Sequence, residues 1–168
     1  GEEAAPVAID YTEVEQVTSD MLTEDSFFHF EIFGDNYHTE PIIGFAWGTK
    51  GQLYASTDTG LLQTPIVKEF LEKTPLKVYD FKRAKVLLSH LGITLQNPAF
   101  DSRLAKYLLS TVEDNEISTL ASLYSQIALP LDEVVYGKGV KRAIPDRAVL
   151  LAHLTRKDAV LVDTEEPM

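Results

Sequence analysis

Ser26-Phe27-Phe28-His29-Phe30-Glu31-Ile32-Phe33, with Gly34-Asp35-Asn36 and then Pro41-Ile42-Ile43-Gly44-Phe45-Ala46-Trp47, is the stretch around which the chain is organised. The first run alternates in a strand-like way, with Phe28, Phe30 and Ile32 on one face and Phe27, His29, Glu31 and Phe33 on the other. Gly34-Asp35-Asn36 supplies turn residues, and Pro41 opens the second run where no ladder donor is lost, so the pair reads as a hairpin. The face opposite the Phe28/Phe30/Ile32 stripe carries His29 and Glu31 two positions apart. That is the spacing of a metal-binding Asp-x-Glu, with His in the first place.

The surroundings are those of one compact domain. A chain of 168 residues with 45% hydrophobic side chains can bury a substantial core. Its formal charge of -11, from 26 acids against 15 bases, argues against a stand-alone nucleic-acid binder, which needs clustered Lys and Arg to neutralise phosphates. Cysteine is absent, so no disulfide framework or thiolate metal site is available. No apolar run reaches the roughly 20 residues of a membrane span, and Gly1-Glu2-Glu3 is unlike a signal peptide. Together these features predict a soluble intracellular protein. Residues 1–8 read as a linker or chain edge and 9–168 as a single domain.

Beyond the hairpin, a short helical turn is expected near Ser19 to Leu22, and Gln52 to Ser56 adds a third antiparallel strand. The pattern then alternates. Thr64 and Pro65 open a helix carrying Ile66, Val67, Phe70 and Leu71, and Leu76 to Tyr79 is a short strand. Asp80 caps a helix with Phe81, Ala84, Leu88 and Leu91 on one stripe, stopped by Gly92. A strand end at Ala99-Phe100 leads to Asp101 as a cap and to an amphipathic helix whose apolar positions are Leu104, Ala105, Leu108 and Leu109. A weaker helix covers Glu116 to Gln126, and Leu129 to Ile144 reads as a long connection containing the basic loop Gly137 to Arg142, expected to be solvated. The last helix starts near Pro145 and runs at least to Val162, its stripe of Leu150, Leu154 and Leu161 interrupted by Lys157. No helix-stop signal precedes Met168, which predicts that the chain continued into a further segment.

Three antiparallel strands followed by alternating helices and strands give an α/β class with a mixed sheet of ribonuclease H-like order. Three segments make the likeness specific: Asn36-Tyr37-His38 with Pro41-Ile42-Ile43-Gly44; Phe100-Asp101 with Leu104-Ala105 and Tyr107-Leu108-Leu109; and Tyr136-Gly137-Lys138-Gly139-Val140-Lys141-Arg142-Ala143-Ile144-Pro145-Asp146. They resemble the 3'-5' exonuclease-like domain of bacterial DNA polymerase I, most of all the Bacillus-type polymerases in which that domain is inactive. The resemblance covers nearly the whole chain from about Asp10 onward.

Active members of that family hold two divalent metals on four carboxylates, because hard cations want oxygen ligands and the pair must activate water and stabilise the leaving oxygen together. The resemblance places His29 and Glu31 at the first two positions and, counting back from Gly92-Ile93, Ala84 at the third, with Asp80 in place of a preceding Asn. His153 then stands for a tyrosine and Lys157 for the last aspartate. Only Glu31 is retained. Ala84 reads as a core residue, Glu31 as a structural carboxylate, and His29 with Glu31 as too small a set for a metal. Asp80 is the exception, since a register shifted by four residues would leave Glu31 and Asp80 as two surviving metal candidates.

These readings predict a vestigial domain without catalytic residues or a bound cofactor, where active relatives use Mg or Mn. It would act as a scaffold within a cytoplasmic bacterial DNA polymerase of replication and repair, joined to the polymerase domain and meeting DNA through the parent protein. The alternatives are an active proofreading exonuclease and a free-standing protein-binding module. The Lys157 ammonium is expected beside Glu31.

Overall fold

A computed structural model describes residues 8–110 and 116–168. The acidic stretch read as a linker therefore falls, apart from Ala8, outside the described residues. The strands are β1 (Thr12–Glu13), β2 (Phe27–Ile32), β3 (Ile42–Thr49), β4 (Gln52–Ser56), β5 (Leu76–Val78) and β6 (Pro98–Asp101). The helices are α1 (Pro65–Lys73), α2 (Phe81–Ser89), α3 (Ser102–Ser110), α4 (Ile117–Tyr124), α5 (Asp132–Tyr136) and α6 (Arg147–Glu165). The sheet order is β1-β4-β3-β2-β5-β6, with β2-β3-β4 antiparallel and β1, β5 and β6 added in parallel.

Sequence and structure agree most closely at β2. It lies inside the sheet between β3 and β5, and all six of its residues are buried. Phe28, Phe30 and Ile32 enter a core with Val67 and Leu71 of α1 and Ala84, Leu87 and Leu88 of α2. On the other face, Phe27 packs with Ile117, Leu120, Val160 and Leu161 of α4 and α6, while His29 and Glu31 are buried beside it. The β3–β4 turn needs its glycine, since Gly48 has φ +150 and an added Cβ would lie 2.1 Å from the Gln52 carbonyl oxygen.

α6 packs on the same face through small residues. His29 is paired with Ala46 and Glu31 with Gly44 across the β2–β3 ladder, and Ala55 stands beside Ala46 on β4. Leu150, Leu151 and Leu154 of α6 pack on Ala46 and Ala55. A Cβ on Gly44 would sit 2.7 Å from Leu154, so the helix approaches the sheet as closely as it does only because glycine is there. Caged between sheet, α4 and α5, α6 is buried on most sides: eleven of its residues are buried, including His153, Lys157 and Asp158.

The structure departs from the sequence reading at five places. Thr64 sits at the start of α1, but its hydroxyl donates to the Leu61 carbonyl at 2.7 Å rather than capping the helix. The stretch read as a long connection contains α5 and a 3-10 turn over Gly139–Lys141, elements too short to show periodicity. β1 is a two-residue edge strand that no local pattern signalled. Leu150, Leu154 and Leu161 do not mark a single buried stripe, since α6 is covered on several sides. Finally, Leu104, Leu108 and Leu109 of α3 are exposed, where an amphipathic helix on the core was expected.

Asp80 and Asp101 serve as the caps expected of them: Asp80 accepts from the Arg83 amide at 3.2 Å, and Asp101 from the amides of Arg103 and Leu104 at 3.0 and 3.1 Å. In the basic loop, Arg142 lies over the Phe33 ring at 4.6 Å and Lys138 pairs with Glu133 at 3.4 Å. Among the described residues, no helix is long and apolar enough to cross a membrane.

Candidate functional site

Where β2, α5 and α6 meet, the Glu31 carboxylate is hydrogen-bonded on both oxygens. Oε1 faces His29 Nε2 at 2.7 Å and accepts from Lys157 Nζ at 2.8 Å. Oε2 accepts from the Tyr136 hydroxyl at 2.5 Å and from the same Lys157 nitrogen at 3.0 Å. An ionised carboxylate offers about four acceptor positions, and here each has a donor. The Lys157 ammonium also reaches Asp132 Oδ1 at 2.9 Å, and that oxygen faces His153 Nε2 at 2.8 Å. One lysine thus joins a carboxylate on the central strand to a carboxylate at the start of α5, as the sequence reading expected for Glu31.

The protonation states follow from burial and partners. Burial depresses His29 from 6.5 to about 4, outweighing the hydrogen bond and charge of Glu31 that favour protonation. The imidazole is therefore neutral near pH 7, and because a carboxylate only accepts, Nε2 carries the hydrogen it donates to Glu31. For Glu31 itself, burial pushes the carboxyl up, yet the Lys157 charge and the His29 bond together hold it well below the usual carboxylate range. Asp132 is lowered in the same way: the His153 hydrogen bond and the Lys157 charge exceed the cost of burial. Lys157 is raised, since Glu31 and Asp132 overcome its desolvation. Tyr136 is raised by burial and by the negative charge of Glu31, so it remains a donor.

The cluster opens onto a cleft of about 620 Å³ lined by His29, Glu31, Asp80, Arg83, Asp132 and Lys157 among others. Arg83 is only partly exposed, and its guanidinium donates to the Phe30 carbonyl at 2.7 Å. Of the residues singled out in the sequence, His29, Glu31, His153 and Lys157 come together here. Asp80 lines the cleft but is held as the α2 cap, with Arg103 Nε 3.9 Å from its carboxylate. Ala84 is 3% exposed and belongs to the core under the opposite face of the sheet. The sequence reading missed Asp132, Tyr136 and Arg83. Asp132 and Tyr136 are four residues apart on one short helix, but nothing local ties that helix to a glutamate 105 residues away.

A two-metal site does not fit these residues. Among the described residues, the acids of this hydrogen-bonded cluster are Glu31 and Asp132, and an ammonium already bridges them. Glu31, Asp132 and His153 each present a ligand atom within 4.8 Å of one another, a grouping a single ion could use, but Lys157 holds two of the three.

Comparison with known proteins gives this cleft its context. The sequence model of the family described as DNA polymerase I, ribonuclease H-like domain, matches residues 28–163. DNA polymerase I of Streptococcus pneumoniae R6 is 63% identical over 157 residues, and that of Geobacillus stearothermophilus 36% over 163 residues. The matches cover 94% and 95% of this chain but only 18% and 19% of those proteins, so the chain spans about a fifth of the length of its relatives. Among solved structures, Brucella melitensis NrnC superposes with a TM-score of 0.61 at 15% identity, covering 94% of this chain and 80% of that one. The POL domain of Pol1 from M. smegmatis, in complex with DNA primer-template and dNTP, gives 0.53 at 17% identity, covering 92% of this chain and 26% of that one. Those two likenesses establish the fold, and the sequence matches establish the family: the chain belongs to the ribonuclease H-like, 3'-5' exonuclease-like domains of bacterial DNA polymerase I.

Proposed function

We propose that this domain has lost nuclease chemistry and serves as a structural unit of a bacterial DNA polymerase I, with Lys157 taking the place of a cation. The observation that carries this is the saturation of Glu31: His29, Tyr136 and Lys157 use its acceptor positions, and the lysine draws in Asp132 as well. A metal ion would have to expel a buried ammonium and compete with a positive charge while it entered. The reading is supported by the correspondence drawn from the sequence, in which Ala84 and Lys157 stand at two of the family's carboxylate positions and neither side chain can bind a hard cation. On this reading the domain takes no metal cofactor and meets DNA through the parent chain, in keeping with its net charge of -11. The parent protein would work in the bacterial cytoplasm.

A second reading, a metal-dependent proofreading exonuclease, has one observation in its favour, the Glu31, Asp132 and His153 grouping. Incubating the purified polymerase with single-stranded DNA in magnesium or manganese separates the two. The expected result is no release of 3'-terminal nucleotides above a metal-free control. Metal-dependent release that disappears in Glu31→Gln would overturn the proposal.

A further inference from the structure

Two cations face the cleft, and only one of them is fully occupied. The Lys157 ammonium is taken up by Glu31 and Asp132. The Arg83 guanidinium carries five N–H donors in a rigid planar fork and is always charged. Among the described residues its side chain makes a single hydrogen bond, to the Phe30 carbonyl at 2.7 Å, and no ion pair. Tyr37, from the β2–β3 connection, lines the same cleft, and its hydroxyl also has no hydrogen-bond partner among the described residues. Burial pulls Arg83 below its ordinary value, against the nearby charges of Glu31, Asp80 and Asp132 and the Tyr37 phenol. A desolvated cation with unused donors is costly, and an anion set against it supplies both the counter-charge and the missing acceptors. These donors are distinct from a helix end, since the Phe81 and Arg83 amides at the start of α2 are already held by Asp101 and Asp80.

We propose that Arg83 and Tyr37 form a binding site for a single free oxyanion, inorganic phosphate in kind, held without a metal ion. The guanidinium fork offers parallel donors to two oxygens of such an ion, and the phenol donates to a third. Charge selects the free ion over a nucleic-acid strand. Asp35, Glu116 and Glu133 line the cleft as exposed carboxylates. A strand that set one phosphate on Arg83 would bring its neighbouring phosphates against them, whereas a lone ion brings none. The proposal goes beyond the loss of nuclease chemistry and does not depend on it, because it concerns binding without metal and uses no carboxylate ligand.

Equilibrium dialysis of radiolabelled phosphate against the full-length polymerase, with a chelator and no divalent ions, tests this. The unsubstituted enzyme should bind one phosphate more than Arg83→Met. Arg83→Lys keeps the charge but loses the fork, and Tyr37→Phe loses one donor, so each should weaken the additional site by roughly tenfold or more, the value of a hydrogen bond to a charged group. Those two milder variants carry the test if a melting curve shows that Arg83→Met is unfolded. Phosphate should also slow the reaction of Arg83 with phenylglyoxal, followed by mass spectrometry, which a purely structural arginine would not show. Phosphate binding that is the same in every folded variant, or an Arg83 that phosphate leaves unprotected, would overturn the proposal. So would displacement of the phosphate from Arg83 by oligothymidylate, which would make the site one for a strand. The nuclease assay reads metal-dependent release of nucleotides and is indifferent to this binding, so either reading can fail alone.

Discussion

Lys157 and Asp158 are neighbours in sequence, both on α6 and both buried, yet their surroundings are opposite. Lys157 meets two carboxylates at 2.8 and 2.9 Å and sits in a network with His29, Tyr136 and His153. Asp158 is fully buried, and neither of its carboxylate oxygens has a hydrogen-bond partner among the described residues. One helical step of about 100° separates a charge that is stabilised from one that is not. Burial pushes the Asp158 carboxyl well above its usual range, whereas Lys157 and His29 hold Glu31 well below it. Burial alone therefore does not set the state of an acid. The donors aimed at it do.

Breaking the satisfied side of this comparison has the largest expected effect. Glu31→Leu leaves Lys157 buried with only Asp132, and removing one partner of a buried pair costs about 3 to 5 kcal/mol. Glu31→Leu with Lys157→Met should lose less than Glu31→Leu alone. Urea unfolding of both variants checks this, and equal losses would mean that the two side chains are not coupled.

Acid titration comes next. His29 is neutral in the fold down to about pH 4 but takes a proton near 6.5 when unfolded. Between those values the unfolded chain binds more protons, so stability falls as pH is lowered, by about 3 kcal/mol over the window. Glu31 and Asp132, with folded values below their unfolded ones, contribute stability present above the usual carboxylate range and lost below it, so they steepen the fall further. His29→Gln should flatten the slope between pH 6.5 and 4.5. An unchanged slope would show that His29 is not the titrating group.

Removing the ammonium tests its role as a stand-in cation. Lys157→Ala frees Glu31 and Asp132 beside His153 and should create affinity for manganese or zinc. At a hundredfold excess over Kd the gain is about 2.7 kcal/mol, and each kcal/mol raises the melting temperature by roughly 2 to 4 °C. The unsubstituted domain should show no shift beyond that of matched ionic strength. A manganese shift already present with Lys157 in place would return Glu31 to the metal ligands.

Asp158 gives an effect of the opposite sign. Burial raises its carboxyl in the fold above the 3.8 of an ordinary Asp, so the unfolded chain releases the proton first and stability falls as pH rises past that value. Asp158→Asn should match the parent protein in acid and gain on it as pH rises above that. A gain independent of pH would mean that Asp158 is ionised in the fold and held by a partner.

Most of the frame was legible locally. The 26–33 stretch carries strand periodicity and an apolar face, Gly34-Asp35-Asn36 carries turn residues, and Asp80, Gly92 and Asp101 punctuate their helices in ways that depend only on neighbouring backbone. Spacing alone paired His29 with Glu31, and the resemblance put Lys157 near them. Asp132 and Tyr136 were not legible, because their roles depend on the closing of a chain segment of more than 100 residues that brings α5 over β2. Nor was the burial of Asp158, which depends on α6 being covered on several sides.

α3 shows the same division most plainly. The sequence by itself determined that Leu104, Tyr107 and Leu108 share a face, since that follows from 3.6 residues per turn. Which face is inside was decided only by tertiary structure, where the Lys106 ammonium meets Tyr79 and the leucines are left outward. Periodicity fixes which side chains travel together. Their direction is settled by contacts between segments far apart in the chain, and no local pattern encodes those.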